Sequence, residues 1–81
     1  MRPLTRKIFA KIDSEKGIHF DKILEILDKT PRSEFKKSFS DDCLFQSDKY
    51  FANEIIKELL RYGLVIKEGS VIKKVEKNKE K

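Results

Sequence analysis

The chain has few of the residues on which several protein classes depend. A single cysteine, Cys43, excludes an internal disulfide and a zinc site built from cysteines. The three glycines, Gly17, Gly63 and Gly69, are too far apart to form a phosphate-binding loop. No apolar run approaches the roughly 20 residues that cross a bilayer, and charges interrupt the first residues. These absences predict an intracellular, cytoplasmic protein without membrane contact.

Residues suited to catalysis are equally scarce. The one histidine, His19, and Cys43 could form a nucleophilic pair, but the sequence supplies no positioned acid or oxyanion-binding motif beside them. No cluster of histidines and no pair of carboxylates has the spacing of a metal site. The sequence therefore predicts a protein that is not an enzyme and that uses no metal and no cofactor.

Charged residues are abundant instead. They make up 41% of the 81 residues, and hydrophobic residues make up 38%, which is enough for one modest core. The formal net charge is +5, and the excess positive charge lies at the two ends of the chain. This balance is compatible with a polyanionic partner. We expect one domain over residues 1–75 and a flexible charged tail over residues 76–81.

The first third of the chain alternates between helical and extended patterns. Pro3 suits a first helical turn, and apolar residues recur every four positions, which predicts a helix over residues 3–14. Gly17 ends that segment, and the alternation in "IHF" predicts a short strand at residues 18–20. Asp21 is expected to cap a second helix that ends near Lys29.

Aromatic residues concentrate in the middle of the chain. Thr30 and Pro31 have the pattern of a cap and a first turn, which predicts a short third helix. An aromatic cluster in and after this helix is expected to pack as core against the next helix, with a surface for homodimer formation as the alternative. Its members are Phe35, Phe39, Phe45, Tyr50 and Phe51.

A wide apolar face predicts a longer helix that starts at Ser47 or Asp48 and forms the centre of the core. Two adjacent rows contribute to this face, namely Phe51, Ile55 and Leu59, and Ala52, Ile56 and Leu60. Gly63 matches the left-handed residue that often follows a helix. After it, "LVIK" and "SVIKKV" flank Glu68 and Gly69, which predicts a β-hairpin.

In these segments the chain resembles the winged-helix branch of the helix-turn-helix superfamily. The resemblance implies a mainly α fold with a small β-hairpin, in the order helix, short strand, helix, an additional helix, helix and two-stranded wing. The segment "GIHFDKILEIL" stands at the place of the first strand and second helix. The other matching residues are Ile55, Ile56, Leu59 and Leu60, then "YGLV" at residues 62–65 and "KEGSVIKKV" at residues 67–75.

One departure separates the chain from that pattern. Helix-turn-helix proteins join the second helix to the recognition helix by a short turn, whereas residues 30–47 intervene here. Either an extra helix is inserted at this point, or residues 31–40 are themselves the helix that precedes recognition.

The resemblance implies that the outer face of the last helix enters the major groove of duplex DNA while the wing contacts the backbone or the minor groove. Asn53 and Gln46 suit adenine edges, and the basic residues suit phosphate or guanine. The implied DNA-binding residues are Gln46, Ser47, Lys49, Tyr50, Asn53, Lys57 and Arg61, with Lys67, Ser70, Lys73 and Lys74 on the wing.

Acidic residues on the same helix argue for a different interpretation. Asp48, Glu54 and Glu58 cancel its positive charge, and on a solvated face Glu54 would repel Glu58. We therefore keep two predictions of function. The first is a transcription regulator that binds duplex DNA, and the alternative is a winged-helix module for protein–protein interaction in a replication or transcription assembly. RNA is a third, weaker candidate partner.

A basic stripe also lies on the first predicted helix. Arg2, Arg6, Lys7 and Lys11 are spaced so that they share one face. This stripe is expected to be solvated, to extend a phosphate-binding surface or to contact an acidic partner.

Overall fold

The computed structural model describes residues 1–40 and 45–75. Over these residues the chain forms four helices and a three-stranded antiparallel sheet. The helices are α1 (Pro3–Ala10), α2 (Phe20–Asp28), α3 (Arg32–Ser38) and α4 (Asp48–Arg61), and the strands are β1 (Ile18–His19), β2 (Val65–Glu68) and β3 (Val71–Lys74). The predicted class, mainly helical with a small hairpin, and the predicted order of elements are confirmed.

Helix α4 is the centre of the core. It packs against both α1 and α2, and the row formed by Phe51, Ile55 and Leu59 is buried as predicted. Burial of each such side chain contributes about 1.5–3 kcal/mol. In the adjacent predicted row, Leu60 is 41% exposed. A row with a spacing of four drifts around the helix by about 40° per step, so its last member leaves the core.

Aromatic rings pack around Phe51. Its ring centroid lies 4.9 Å from that of Phe35, 4.7 Å from that of Phe39 and 5.5 Å from that of Tyr50. Edge-on and tilted contacts of this kind are favourable for aromatic pairs. The prediction is wrong for Phe45, which is 94% exposed, because that residue lies in the turn before α4.

Helix α1 is shorter than predicted and ends at Ala10. Beyond it, Asp13 Oδ1 accepts hydrogen bonds from the backbone N–H groups of Glu15 and Lys16 at 2.7 and 2.9 Å. These two hydrogen bonds hold the pKa of the Asp13 carboxyl below its ordinary value. A side chain that binds nearby backbone N–H groups competes with the helix, which explains why residues 11–14 leave it.

The N-terminal caps of two helices also differ from prediction. His19, not Asp21, caps α2, because its Nδ1 accepts a hydrogen bond from the Asp21 N–H at 3.1 Å. Thr30 does not cap α3, since its hydroxyl donates to the carbonyl of Ile26 at 2.7 Å and Pro31 takes the cap position. Both predicted caps were therefore one or two residues from the observed helix start.

Strand β3 lies between β1 and β2 in the sheet. Ile72 of β3 pairs with Ile18 of β1 and is fully buried. Glu68 pairs with Val71, so the hairpin loop consists of Gly69 and Ser70 and lies one residue later than predicted. A glycine with positive φ at the first loop position suits a two-residue hairpin loop.

Gly17 allows β1 to approach β3 closely. Its φ is +78°, and a Cβ atom there would lie 2.6 Å from the carbonyl oxygen of Ile72. Side chains larger than hydrogen are therefore excluded by both the backbone conformation and the neighbouring strand.

We predict that Gly17→Ala destabilises the protein more than Gly63→Ala. Both glycines have positive φ, +78° and +71°, but a Cβ atom at Gly63 would meet nothing within 4 Å. The backbone term alone costs about 1–2 kcal/mol, and the added clash should raise the loss at Gly17 to about 2–4 kcal/mol. Urea denaturation measures the loss in the free energy of unfolding for both variants. Equal losses would contradict the close approach of β1 to β3 at Gly17.

Candidate nucleic-acid interface

A stripe of polar residues runs along the exposed face of α4. These residues are four positions apart, so they lie on one side of the helix, opposite the buried face. At the start of α4 the Oγ of Ser47 accepts the N–H of Tyr50 at 3.3 Å, as predicted for the cap. We call this surface the α4 stripe, and it consists of Lys49, Asn53, Lys57 and Arg61.

Glu58 faces away from this stripe and into the protein. Its Oε1 accepts a hydrogen bond from the Thr5 hydroxyl at 2.7 Å and one from the Arg2 guanidinium at 3.1 Å. Its Oε2 accepts the backbone N–H of Arg2 at 3.1 Å. The Arg2 guanidinium also lies 4.6 Å from the centre of the Phe39 ring. The carboxylate therefore joins α4 to the start of α1 through charge-assisted hydrogen bonds.

The pKa of the Glu58 carboxyl reflects these contacts. Burial is the largest single influence and raises the pKa, but the Thr5 hydroxyl, the Arg2 N–H and the Arg2 charge together bring it below its ordinary value. The carboxylate is thus held in its ionised form inside the protein. The alternative in which Glu58 lies beside Glu54 on a solvated face is wrong, because Glu58 is buried.

The remaining charges leave the α4 stripe positive. Glu54 forms an ion pair with Lys57 at 3.4 Å. Within the described part of the chain, Lys49 and Arg61 form no ion pair and are exposed. A helix that is neutral by sequence count therefore presents an excess of cations on its outer side.

The other predicted residues near the start of α4 differ in exposure. Gln46 and Ser47 are exposed and directly precede the stripe. Tyr50 is half-buried because its ring packs on Phe51. The structure thus places Gln46 and Ser47 at one end of the α4 stripe and turns the Tyr50 ring toward the core.

The predicted wing residues are divided between solvent and internal contacts. Lys67 and Ser70 are exposed. Lys73 forms an ion pair with Glu68 at 3.2 Å, and Lys74 Nζ lies 4.6 Å from the centre of the Phe9 ring. Of the three hairpin lysines, Lys67 is therefore the one whose charge has no such partner within residues 1–40 and 45–75.

The hairpin loop lies against the start of α2. The carbonyl of Ser70 accepts the backbone N–H of Phe20 at 2.7 Å. This hydrogen bond continues the β1–β3 pairing up to the loop. The hairpin is consequently a short, attached element whose loop is fixed on the body of the protein.

The basic stripe predicted on α1 is divided between different environments. Arg2 belongs to the Glu58 contact, Arg6 is exposed, and Lys7 and Lys11 line a groove together with Lys22 of α2 and Lys29, the residue that follows α2. The sequence analysis did not predict that Lys22 and Lys29 would lie beside Lys7 and Lys11. The available signal was that Lys22 and Lys29 are seven positions apart, about two helical turns, and flank the buried row of α2.

Comparisons of the chain with protein-family models, with curated proteins and with solved structures found no match. Within the described residues, no helix is both long enough and apolar enough to cross a membrane. That part of the chain also contains no group of three His, Cys, Asp or Glu residues placed to hold a metal ion. Cys43 and the predicted tail at residues 76–81 lie outside the described residues.

We predict that Glu58→Gln lowers the free energy of unfolding at pH 7 by about 1–3 kcal/mol, because Thr5 and Arg2 lose a charged acceptor. A lowered folded-state pKa means that this stabilisation is complete above the ordinary pKa of 4.5 and is lost as the pH falls through the lower folded-state pKa. The difference between wild type and variant should therefore shrink as the pH falls below 4.5.

Glu54→Gln is the matched control, since its ion pair with Lys57 is exposed to solvent and should change stability by about 0.5 kcal/mol or less. Chemical denaturation from pH 7 to pH 3 measures both variants. A loss at Glu58 as small as that at Glu54, or one that does not vary with pH, would contradict the role of the buried carboxylate.

Proposed function

We propose that this chain is a winged-helix protein that binds duplex DNA without catalysis and acts as a transcription regulator inside the cell. The order of elements and the strand order β1-β3-β2 support this proposal. In it, α1, α2 and α4 are the three helices of the motif, and α4 is the recognition helix. Helix α3 is then an insertion whose Phe35 and Phe39 pack on Phe51 of α4.

The observation that carries the proposal is the charge of the α4 stripe. Three of its four residues are cationic, and the buried contact of Glu58 removes one carboxylate from the outer side of the helix. Neutralisation of DNA phosphates by Lys and Arg releases counterions and supplies much of the affinity of DNA-binding proteins. An exposed cationic helix face of this kind suits the major groove, which admits an α-helix.

Each residue of the interface has a chemical role in this proposal. Lys49, Lys57 and Arg61 contact phosphate or guanine, while the amide of Asn53 reads an adenine edge. Lys67 contacts the backbone beside the hairpin. Lys73 and Lys74 contribute less than the sequence suggested, because Glu68 and the Phe9 ring already hold their ammonium groups.

We predict that the triple variant Lys49→Gln, Lys57→Gln, Arg61→Gln weakens binding to duplex DNA of any sequence. Each lost phosphate contact should make the dependence of log affinity on log salt shallower by about one. Fluorescence anisotropy with a labelled mixed-sequence duplex, repeated over a series of salt concentrations, measures both the affinity and this slope.

The control for this variant removes three positive charges elsewhere, by glutamine substitution of the exposed residues Lys16, Lys36 and Lys37. It should retain most of the affinity and most of the slope. Equal losses in the two variants would show that net charge alone drives binding. The proposal would be abandoned if the wild-type protein bound no duplex DNA even at low salt.

We predict that Asn53→Ala changes the ranking of DNA sequences while leaving the salt dependence nearly intact. A bidentate amide contact to adenine discriminates against other bases by about 1–3 kcal/mol, whereas an uncharged side chain adds little to counterion release. Selection from a pool of randomised duplexes, with wild type and variant in parallel, tests this prediction. An unchanged ranking would argue against base contact by Asn53.

A second candidate function is protein docking within a replication or transcription assembly. The observation that favours it is the exposure of three large apolar residues at the end of α4 and the start of the hairpin. Leu60 is 41% exposed, Tyr62 53% and Ile66 45%. Exposed apolar surface of this kind is found at protein interfaces, including the interface of a homodimer.

Salt separates the two functions. Apolar docking should tolerate high salt, whereas phosphate binding should weaken steeply. A Leu60→Ser, Ile66→Ser variant that loses a salt-tolerant partner or a homodimer, but keeps its affinity for duplex DNA, would favour docking. If the variant kept both its protein partner or homodimer and its affinity for duplex DNA, the docking function would be excluded.

A further inference from the structure

A groove of about 530 Å³ lies between α1, β1 and α2. The basic residues that line it are Lys7, Lys11, His19, Lys22 and Lys29. Among the described residues, none from α4 or from the hairpin contributes to its lining. The groove is therefore a surface separate from the α4 stripe, and its chemistry can be considered independently.

The charges of this groove are largely unopposed. No aspartate or glutamate of the described residues lines it. Lys22 forms an ion pair with Glu25 at 3.3 Å, and His19 Nδ1 lies 3.8 Å from Asp21 Oδ2. Within residues 1–40 and 45–75 the ammonium groups of Lys7, Lys11 and Lys29 have no acidic partner. Like charges around one concave volume repel each other, and low-dielectric walls focus their field. A bound anion would relieve that repulsion.

The shape of the groove selects among anions. Its volume lies within the range of about 300–1,000 Å³ typical of small-molecule sites. Buried Ile18 and half-buried Ile26 add apolar surface to the lining. A duplex presents a wide convex surface, with a major groove about 12 Å across, and does not enter a concavity of this size. A compact ligand with several negative charges and an apolar body matches this volume and this lining.

We propose that this groove binds a small polyphosphate ligand of the nucleoside triphosphate class. The phosphate groups contact Lys7, Lys11 and Lys29, and the apolar part of the ligand lies over Ile18 and Ile26. Lysine ammonium groups are well suited to phosphate as compact point charges. The inference does not depend on the DNA-binding proposal, because the two surfaces share no residue.

Isothermal titration of the full chain with magnesium-free adenosine triphosphate, tripolyphosphate and adenosine tests the proposal. We expect saturable binding of adenosine triphosphate at one site and no binding of adenosine. Tighter binding of adenosine triphosphate than of tripolyphosphate supports a nucleotide as the source of the phosphates. Equal or weaker binding of adenosine triphosphate would overturn the apolar contact and leave only free polyphosphate on the same lysines.

The variant Lys7→Gln, Lys11→Gln should weaken this binding about tenfold or more, a factor typical of lost charge-assisted contacts. The control Lys36→Gln, Lys37→Gln removes the same charge from the exposed side of α3 and should change binding by less than about twofold. Equal weakening in both variants, or no saturable binding of either phosphate compound, overturns the proposal. A failure to bind duplex DNA leaves this result unaffected.

Discussion

The buried carboxylate of Glu58 is the contact on which the arrangement of α4 depends. A charge can be held in a core only when hydrogen bonds and an opposite charge surround it, and here Thr5 and Arg2 at the start of α1 supply both. The contact acts together with the buried apolar residues of α4 to set how this helix is rotated about its axis. With Glu58 turned inward, Lys49 and Asn53 must face outward, because helical periodicity couples the two faces.

The protein's cations are divided among distinct surfaces. Arg2 is used inside, against Glu58 and the Phe39 ring. The cations of α4 remain outside and form a stripe, while the lysines of α1 and α2 gather around a groove from which α4 is absent. The net charge of the chain does not distinguish these groups of cations. Their positions in the fold place them in three different environments.

Local sequence signals predicted much of the fold and less of the candidate site. The apolar rows of α4 and the glycine after it specify that helix and the hairpin through interactions of near neighbours. The end of α1 was mispredicted because the Asp13 side chain binds the backbone in place of the helix. The inward turn of Glu58 was missed because its partners lie more than fifty residues away along the chain. The groove was missed because its lysines come from separate elements, and their spacing along the chain does not show that the fold brings them together.

Amide chemical-shift mapping tests most directly the proposed contact between the outer side of α4 and duplex DNA. A mixed-sequence duplex would be added to isotope-labelled protein at low salt, and the shift changes would be assigned along the chain. The account predicts the largest changes at Lys49, Asn53 and Lys57, with smaller ones near Lys67. Changes confined to α3 or to the groove between α1 and α2, or no changes at high duplex concentration, would contradict it.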